Sequence, residues 1–476
     1  MALMLVCSRG DTLSRCVRRG ATPVLRLVAC VFVLAAAFTH ARAETLAGAM
    51  AKAYRANPDL GQQRASVRAT DENIARQKSG YRPQISATAD AGIQATQSRA
   101  NGMSESSTTF PRGFGVSVTQ TLFNGFRVEN GVRAAESSTF GAREQLRNTE
   151  QTVLLNVATF YMNVMRDTAI LSLRRNNVEV LGEQVRQTRD RFQVGDVTRT
   201  DVAQAEAQLA QGQSDSFVAD TNLRQSMANY RQVVGSEPKR LDPARPYERG
   251  LPKTLEAAVR FAETEHPLIQ ALLHAVDAAE LNVKVIEGEL YPTVGVTGAI
   301  NKRYDGNAIP GSQVLSASVV GQLTVPIYQG GETYAHARQA KETLSQQRLQ
   351  ADLQRDQVRA GVVSAWTAFG SSAQVIRASQ AQVSAAEIAL NGVREEAKVG
   401  QRTTLDVLNA QQILLNARVL LVTAQRDRVV NSYVLQSALG RLSVANLKLG
   451  VERYDPTVHF NQVKDLWWGL RTPDGQ

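Results

Sequence analysis

A short motif that occurs twice constrains this chain more than any other feature. The first copy, R-F-Q-V-G-D-V-T-R-T-D-V, occupies residues 191–202, and the second, E-A-K-V-G-Q-R-T-T-L-D-V, occupies residues 396–407. Both copies contain a Val-Gly pair, a threonine and an Asp-Val pair at matching places. Each lies between two long helical patterns, so the sequence predicts two helical hairpins whose tips are these motifs, at 194–201 and 399–406.

The repeat extends over nearly the whole chain after residue 43. A helical pattern broken at Asn57-Pro58 leads into alternating segments, and the same order starts again at Thr254 with a break at His266-Pro267. We infer a tandem duplication. The predicted divisions are a first repeat at 44–235, a connector at 236–253, a second repeat at 254–440 and a tail at 441–476.

Residues 1–43 have the composition of an export signal. Six arginines and one acidic residue accompany an apolar run from Val28 to Phe38, which leads to Ala41-Arg42-Ala43. A basic start, a short apolar run and an A-x-A site are typical of a cleaved signal, and the run is too short to span a membrane. A lipoprotein-like sequence ends at Cys30, but Arg26 leaves no apolar stretch ahead of it.

Removal of the signal leaves 48 basic and 43 acidic residues, a net charge of +5, and no cysteine. The basic character of the full chain therefore says little about nucleic acid, and none is predicted as a partner. An exported chain of this size without disulfides has to be held together by packing or by oligomerisation.

The hydrophobic period changes from helical to two after Pro83 and again after Pro292. Aliphatic residues then alternate with small polar ones, which predicts half-buried strands. The predicted strand pairs lie at about 84–123 and about 293–328. Gly- and Ser-rich loops are predicted at 98–112 and 305–313.

Four strands of about ten residues have the length of tilted membrane-crossing strands. Four cannot close a barrel, and open edges cannot face lipid because their backbone groups would have no hydrogen-bond partners. Two interpretations follow. Either helices cover a soluble sheet, or several chains pool their strands. Three chains would supply twelve strands around a water-filled lumen.

The segment from Arg127 to Phe192 contains no proline and predicts one helix about 100 Å long. Apolar residues recur at intervals of seven along it, which favours left-handed supercoiling against neighbouring helices. These residues are Val157, Val164, Leu171, Val178, Val185 and Phe192. An ordinary coiled-coil dimer would share the repeat but does not account for two hairpins joined to two strand pairs.

The remaining motifs are few. The histidines after residue 43 show no metal-ligand spacing, and no catalytic or cofactor motif is present, so neither an enzyme nor a bound metal or cofactor is predicted. In the tail, Trp467-Trp468 is the most apolar pair. Since no strand pattern adjoins it, we expect it to pack against helices rather than in a membrane interface.

Each tip places an aspartate, Asp201 or Asp406, in the first turn of its return helix. Helix capping alone would explain this position. In a three-fold assembly, however, each aspartate would also repeat as a carboxylate ring at a narrow end, favouring cations. Arg199 and Arg402 lie in the same turns. An Asp201–Arg402 pair between hairpins would be weak, as a gate requires.

The doubled order of these motifs resembles the TolC family of outer-membrane efflux and secretion proteins. No single motif is decisive, but the doubled order of Leu122–Gly125, 191–202, Val325–Gly330 and 399–407 is highly specific, and the resemblance covers about residues 45–450. It implies a mostly helical homotrimer with a periplasmic α-barrel continued by a twelve-stranded barrel in the outer membrane of a Gram-negative bacterium. Its function would be an exit duct for efflux or type I secretion.

The resemblance also implies partners and site residues. A periplasmic adaptor and an inner-membrane pump or ABC exporter would meet the tips, with Val194, Gly195, Arg199, Val399 and Gly400 as docking residues. The family's tip contacts among an aspartate, an arginine and a tyrosine map to Asp201, next to Thr200, and to Arg402 and Ala397, so the tyrosine is missing. The family's aspartate pair maps to Asp406 and Asn409, which predicts one neutral ring.

A trimeric adhesin or structural stalk is the alternative function. Such a protein would carry its membrane strands once, near the C-terminus, whereas here strands are predicted inside both repeats.

Overall fold

The computed structural model describes residues 43–100, 102–306, 310–473 and 475. The predicted export signal, apart from Ala43, and all three cysteines lie outside the described residues.

The first half of the chain folds as two helices, two pairs of strands and a helical hairpin. Its elements are α1 Leu46–Ala56, α2 Pro58–Lys78, β1 Gln84–Ala91, β2 Gln94–Ala100, β3 Met103–Thr109, β4 Arg112–Asn124, α3 Arg127–Gln193 and α4 Arg199–Val234. The second half has the same order with one strand pair. Its elements are α5 Leu255–Glu265, α6 Pro267–Glu287, β5 Thr293–Tyr304, β6 Gln313–Thr324, α7 Glu332–Lys398 and α8 Thr404–Ala438. Two short helices follow, α9 Val444–Leu447 and α10 Pro456–Val463.

The Asn-Pro and His-Pro pairs break the helical pattern because each caps a new helix. The Asn57 side chain accepts hydrogen bonds from two backbone N–H groups of α2, and Pro58 occupies the first helical position, where no N–H is needed. His266 caps α6 through its Nδ1 atom, which accepts one hydrogen bond, from the Leu268 N–H at 3.2 Å, and Pro267 occupies the first helical position. Burial lowers the pKa of His266 to about 4, which keeps Nδ1 free to accept.

Each half contains one uninterrupted helix of 67 residues, α3 and α7. At 1.5 Å per residue each runs about 100 Å, as predicted for α3. The seven-residue repeat is buried over most of its length, since Val157, Val164, Leu171 and Val185 are at most 6 % exposed. Phe192, which ends the repeat at the tip, is 44 % exposed.

The largest hydrophobic core lies about halfway along α3, where α1, α2, α4, α8, the connector and the tail pack together. Tyr161 of α3 is fully buried there, with its ring centre 6.4 Å from that of Tyr230. Its hydroxyl is 2.7 Å from the backbone oxygen of Glu44 and 2.6 Å from that of Asp242. The beginning of the folded chain and the connector are thereby fastened to the long helix.

Four strands form one antiparallel sheet in the order β1-β4-β5-β6, so the central pair joins strands from the two halves. β1 and β6 are its edges. Aliphatic side chains share one face through the paired positions Ile85–Val118, Val116–Ile300 and Ile300–Ala317. The apolar face is uncovered, since Ile85, Ile300 and Leu315 are 60–71 % exposed.

The predicted loop at 98–112 is wrong for most of its length. β2 and β3 pair antiparallel there as a separate two-stranded sheet beyond β1 and β4. Their side chains are mostly small and polar, and the backbone pairs with itself across the turn at Gly102, whose φ is +84°. A glycine adopts this conformation without strain, and the Asn101-Gly102 sequence is a strong hairpin signal.

The prediction that Trp467-Trp468 packs against helices is also wrong. Trp467 is 63 % and Trp468 86 % exposed. The tail follows α2 and leaves it near the start of β1, beyond the reach of the helical core.

Candidate functional site at the helix tips

The first tip connects α3 to α4 through a glycine turn. Gly195 has φ +80° and donates its N–H to the backbone oxygen of Phe192 at 3.0 Å, which closes the end of α3. Thr198 then caps α4. Its hydroxyl accepts from the Asp201 N–H at 3.2 Å, and its own N–H donates to the Asp201 carboxylate at 2.8 Å. This reciprocal pair is a capping box.

The second tip repeats this geometry between α7 and α8. Gly400 has φ +79°, and Thr403 and Asp406 form the second capping box, with 3.2 Å from the Asp406 nitrogen to the threonine hydroxyl and 2.9 Å in return. The matching residues of the duplicated motif therefore have a local reason to match. Glycine turns the chain, and threonine with aspartate starts the next helix.

Capping also fixes the charge of the two carboxylates. Hydrogen bonds from the side chain and backbone of Thr198 hold the pKa of Asp201 below its usual range. Those from the backbone and side chain of Thr403 do the same for the pKa of Asp406. Both tips consequently present an ionised carboxylate at the positive end of a helix dipole.

Arg402 and Asp201, predicted to link the two hairpins, are not paired within one chain. The Arg402 Nε lies 2.8 Å from a carboxylate oxygen of Glu396, in its own tip, and this partner raises the pKa of the guanidinium. Asp201 is bound by Thr198. An Asp201–Arg402 link between different chains stays a prediction.

The other predicted aperture residues differ in exposure. Thr200 and Asn409 are exposed, and Asn409 lies one helical turn beyond Asp406 on the same face of α8. Ala397 is half-buried and packs against the seam between α7 and α8, which contains Leu390 and Val407. An alanine at this place fills the seam and offers no hydroxyl to a partner.

The predicted docking residues lie at the outermost turns. Val194 and Val399 are 79 % and 70 % exposed, and the space around Gly195 and Gly400 is open within the chain. Arg199, the first residue of α4, is exposed as well. All five docking residues are therefore exposed at the ends of the two hairpins.

Sequence reasoning missed a polar contact that joins the two hairpins. The Gln411 Nε2 of α8 lies 3.2 Å from the Asn177 Oδ1 of α3, and both residues are only 7 % exposed. The Gln411 Oε1 has no hydrogen-bond partner. In the sequence, Asn177 and Gln411 each interrupt an apolar helical stripe, but the residues around them do not indicate that the two amides meet. Over the described ranges, no group of three His, Asp or Glu residues is arranged as a metal site.

Comparison with known proteins identifies relatives over most of this length. The family described as "Outer membrane efflux protein" matches residues 49–236 and 259–441. The outer membrane efflux protein BepC of Brucella suis biovar 1 (strain 1330) is 43 % identical over 439 residues, covering 92 % of this chain and 94 % of the relative. The outer membrane protein TolC of Escherichia coli (strain K12) is 28 % identical over 421 residues, covering 85 % and 84 %.

A solved structure shares the fold. The CmeC outer membrane channel of Campylobacter jejuni superposes with a TM-score of 0.76 at 16 % identity, covering 88 % of this chain and 89 % of that one.

Proposed function

Since this chain belongs to the outer membrane efflux protein family, we propose that three copies of it form one passive exit duct leading from the periplasm through the outer membrane. The family consists of outer-membrane efflux channels rather than enzymes, as the resemblance to TolC-like proteins implied. Beyond membership of this family, we propose the trimer, the transmembrane barrel and the partner proteins.

The observation that carries the proposal is the open sheet. β1 and β6 each have one edge without a partner strand among the described residues, and the aliphatic face is uncovered. Lipid can cover that face, but it cannot satisfy the unpaired N–H and C=O groups, each of which would cost several kcal/mol. Pairing β1 of one copy with β6 of the next satisfies both edges, and three copies supply twelve strands.

The opposite face of the sheet suits a water-filled lumen. Ser86 and Ser117 are hydrogen-bonded across β1 and β4 at 2.9 Å, and Arg303 forms an ion pair with Asp90 at 3.0 Å. Polar side chains on the inside and aliphatic ones on the outside are typical of transmembrane barrels. The aliphatic face spans nine residues of β6 from Leu315 to Leu323, about 27 Å along the strand, which matches a membrane.

The helices would continue the duct into the periplasm. α8 is long and apolar enough to span a membrane. Yet it starts at a polar tip and packs along α7, so we assign lipid contact to the strands and not to this helix. Exposed apolar side chains on the helices, among them Phe217 and Ile388, would be covered by neighbouring copies.

The tips would form the aperture and the docking surface. In a three-fold assembly Asp201 and Asp406 would each make a carboxylate ring and Asn409 a neutral one, and Arg402 would link neighbouring tips when the aperture is closed. The surface made by Val194, Gly195, Arg199, Val399 and Gly400 would meet a periplasmic adaptor. An inner-membrane pump or ABC exporter would supply the energy, and the exported cargo would be small toxic compounds, polypeptides or both.

Disulfide trapping tests the pooled sheet, because the chain after residue 43 has no cysteine. Ala87→Cys in β1 is combined in turn with a cysteine at each position from 315 to 321 in β6. At one or two positions we expect a covalent trimer on a non-reducing denaturing gel. Ala87→Cys alone is the matched control and should remain monomeric, since a head-to-tail ring never places β1 against β1.

A covalent dimer from Ala87→Cys alone would indicate a two-fold interface instead. No interchain bond at any of the β6 positions would also contradict the pooled barrel.

A further inference from the structure

The exposed tryptophans at the C-terminal end of the chain have no role in the duct described so far. Trp467 and Trp468 are largely exposed, Leu470 is fully exposed, and Arg471 follows Leu470 in the sequence. We call residues 467–470 the tail patch. Isolated exposed apolar residues are ordinary, but two adjacent indoles beside a leucine indicate a surface that contacts something.

Polar contacts guide the tail along α2 toward the strands. In order they join Asp71 to His459 at 3.1 Å, Lys78 to Asp465 at 2.7 Å, and Arg82 to the backbone oxygen of Leu466 at 2.7 Å. The first pair is buried and close to Arg143, whereas the other two are partly exposed. Residues 71–82 and the tail both run toward the sheet in these contacts, so the tail patch is held at the end of α2 that is nearest the sheet.

Arg82 fixes the level of the indoles relative to the sheet. Its guanidinium carbon lies 4.6 Å from the centre of the Trp467 ring. Arg82 precedes the first residue of β1 by two positions, about 7 Å of extended chain. Tyr81 and Ile85, on either side of it, are 54 % and 71 % exposed. The tail patch therefore lies at the rim of the uncovered aliphatic face.

We propose that the tail patch is an interfacial anchor that inserts into the headgroup region of the periplasmic leaflet of the outer membrane. The inference rests on the proposed function, because only a lipid-facing sheet brings the bilayer to this level. Indole rings favour that region, since they combine an apolar body with a polar N–H. Arg82 and Arg471 add positive charge that suits lipid phosphates.

Tryptophan fluorescence can test the anchor because the chain has only three tryptophans. Trp366→Phe leaves the tail pair as the only emitters. The full mature protein is reconstituted into vesicles of phosphatidylethanolamine and phosphatidylglycerol, with or without bromine on the acyl chains. We expect brominated lipid to quench the pair, and bromines near the headgroups to quench it more than bromines near the chain ends. Acrylamide in the water should have a smaller effect.

The chain offers a matched control in Trp366. It is half-buried on α7, 34 residues from the start of that helix and so about 50 Å from the sheet. With Trp467→Phe and Trp468→Phe, the emission of Trp366 should be the same in brominated and ordinary vesicles.

A second control separates the anchor from the barrel. Leu315→Trp, in a chain with all three native tryptophans replaced by phenylalanine, reports on the aliphatic face of β6. Quenching of this residue by brominated lipid without quenching of the tail pair would overturn the anchor and leave the duct intact. Quenching of neither would overturn the proposed barrel itself.

Two further results would overturn the anchor. If acrylamide alone quenches the pair, the tail patch lies in water. If neither reagent quenches it, a neighbouring copy of the chain covers it.

Discussion

A close backbone crossing at the junction of sheet and helices gives a sharp test of the fold. Gly125 follows β4 with φ +68°, and a Cβ added to it would clash with the backbone oxygen of Gly288 and lie 2.8 Å from the Tyr291 Cβ. Gly330 is its counterpart in the second half. It has φ +66°, but within one chain a Cβ there meets nothing within 4 Å.

The pair separates conformational strain from steric conflict. Alanine in the left-handed region costs about 1–2 kcal/mol at either position. At Gly125 the neighbours are mostly backbone atoms, which cannot rotate away, and such overpacking adds about 1–3 kcal/mol. Gly125→Ala should therefore destabilise the protein by about 2–5 kcal/mol and Gly330→Ala by about 1–2 kcal/mol. Replacing glycine with alanine also lowers the conformational entropy of the unfolded chain, and this stabilising effect is common to the two variants.

Thermal unfolding is followed by the helical circular dichroism signal, and the midpoint temperature of its loss is compared among the proteins. Large membrane proteins often unfold irreversibly, so wild type and both variants are compared at one scan rate, detergent and protein concentration. We expect the midpoints to fall in the order wild type, Gly330→Ala, Gly125→Ala. Equal shifts of the midpoint in the two variants, or a larger shift for Gly330→Ala, would refute the close backbone contact between Gly125 and Gly288.

Three further predictions concern the tips and hairpins. Arg402→Ala is expected to raise single-channel conductance in planar bilayers, and unchanged conductance would remove Arg402 from the closed state. Asn177→Leu leaves the buried amide of Gln411 unpaired and should lower the free energy of unfolding by about 1–3 kcal/mol. Adding Gln411→Leu should recover most of this loss, whereas additive losses would contradict the pairing. Because the pKa values of Asp201 and Asp406 are lowered, their caps contribute fully above the ordinary aspartate pKa and are lost as pH falls through the lowered values. Hydrogen exchange at the tips, corrected for intrinsic rates, should therefore stay constant from neutral pH to mild acid. A loss of protection near neutral pH would disprove this.

The features that the sequence predicted well are those specified by neighbours along the chain. The seven-residue spacing from Val157 to Val185 indicates a long helix wherever it occurs. The Gly-Thr-Asp pattern of each tip encodes both the turn and the following N-cap, so the hairpins could be located to within a few residues. Alternation after Pro83 and Pro292 revealed the four strands of the larger sheet.

The composition of residues 98–112 predicts a loop where the structure has the β2–β3 hairpin. Its strands are rich in serine and threonine, so the alternation of aliphatic and polar residues that identifies a half-buried strand is absent. Asn101-Gly102 was the signal that could have identified the hairpin.

Other features depend on contacts between distant parts of the chain. Nothing near Trp467 indicates that Arg82 will hold it, since the two are 385 residues apart. The Asn177–Gln411 contact likewise depends on the relative rotation of α3 and α8. The partner of Arg402 in one chain, Glu396, lies within its own tip, but the resemblance directed attention to a link between hairpins.

Native mass spectrometry of the mature protein in lipid nanodiscs tests most directly whether copies of this chain pool their strands. We expect a particle containing three chains, since four strands from each would close a barrel of twelve. A stable particle containing one, two or four chains would contradict it.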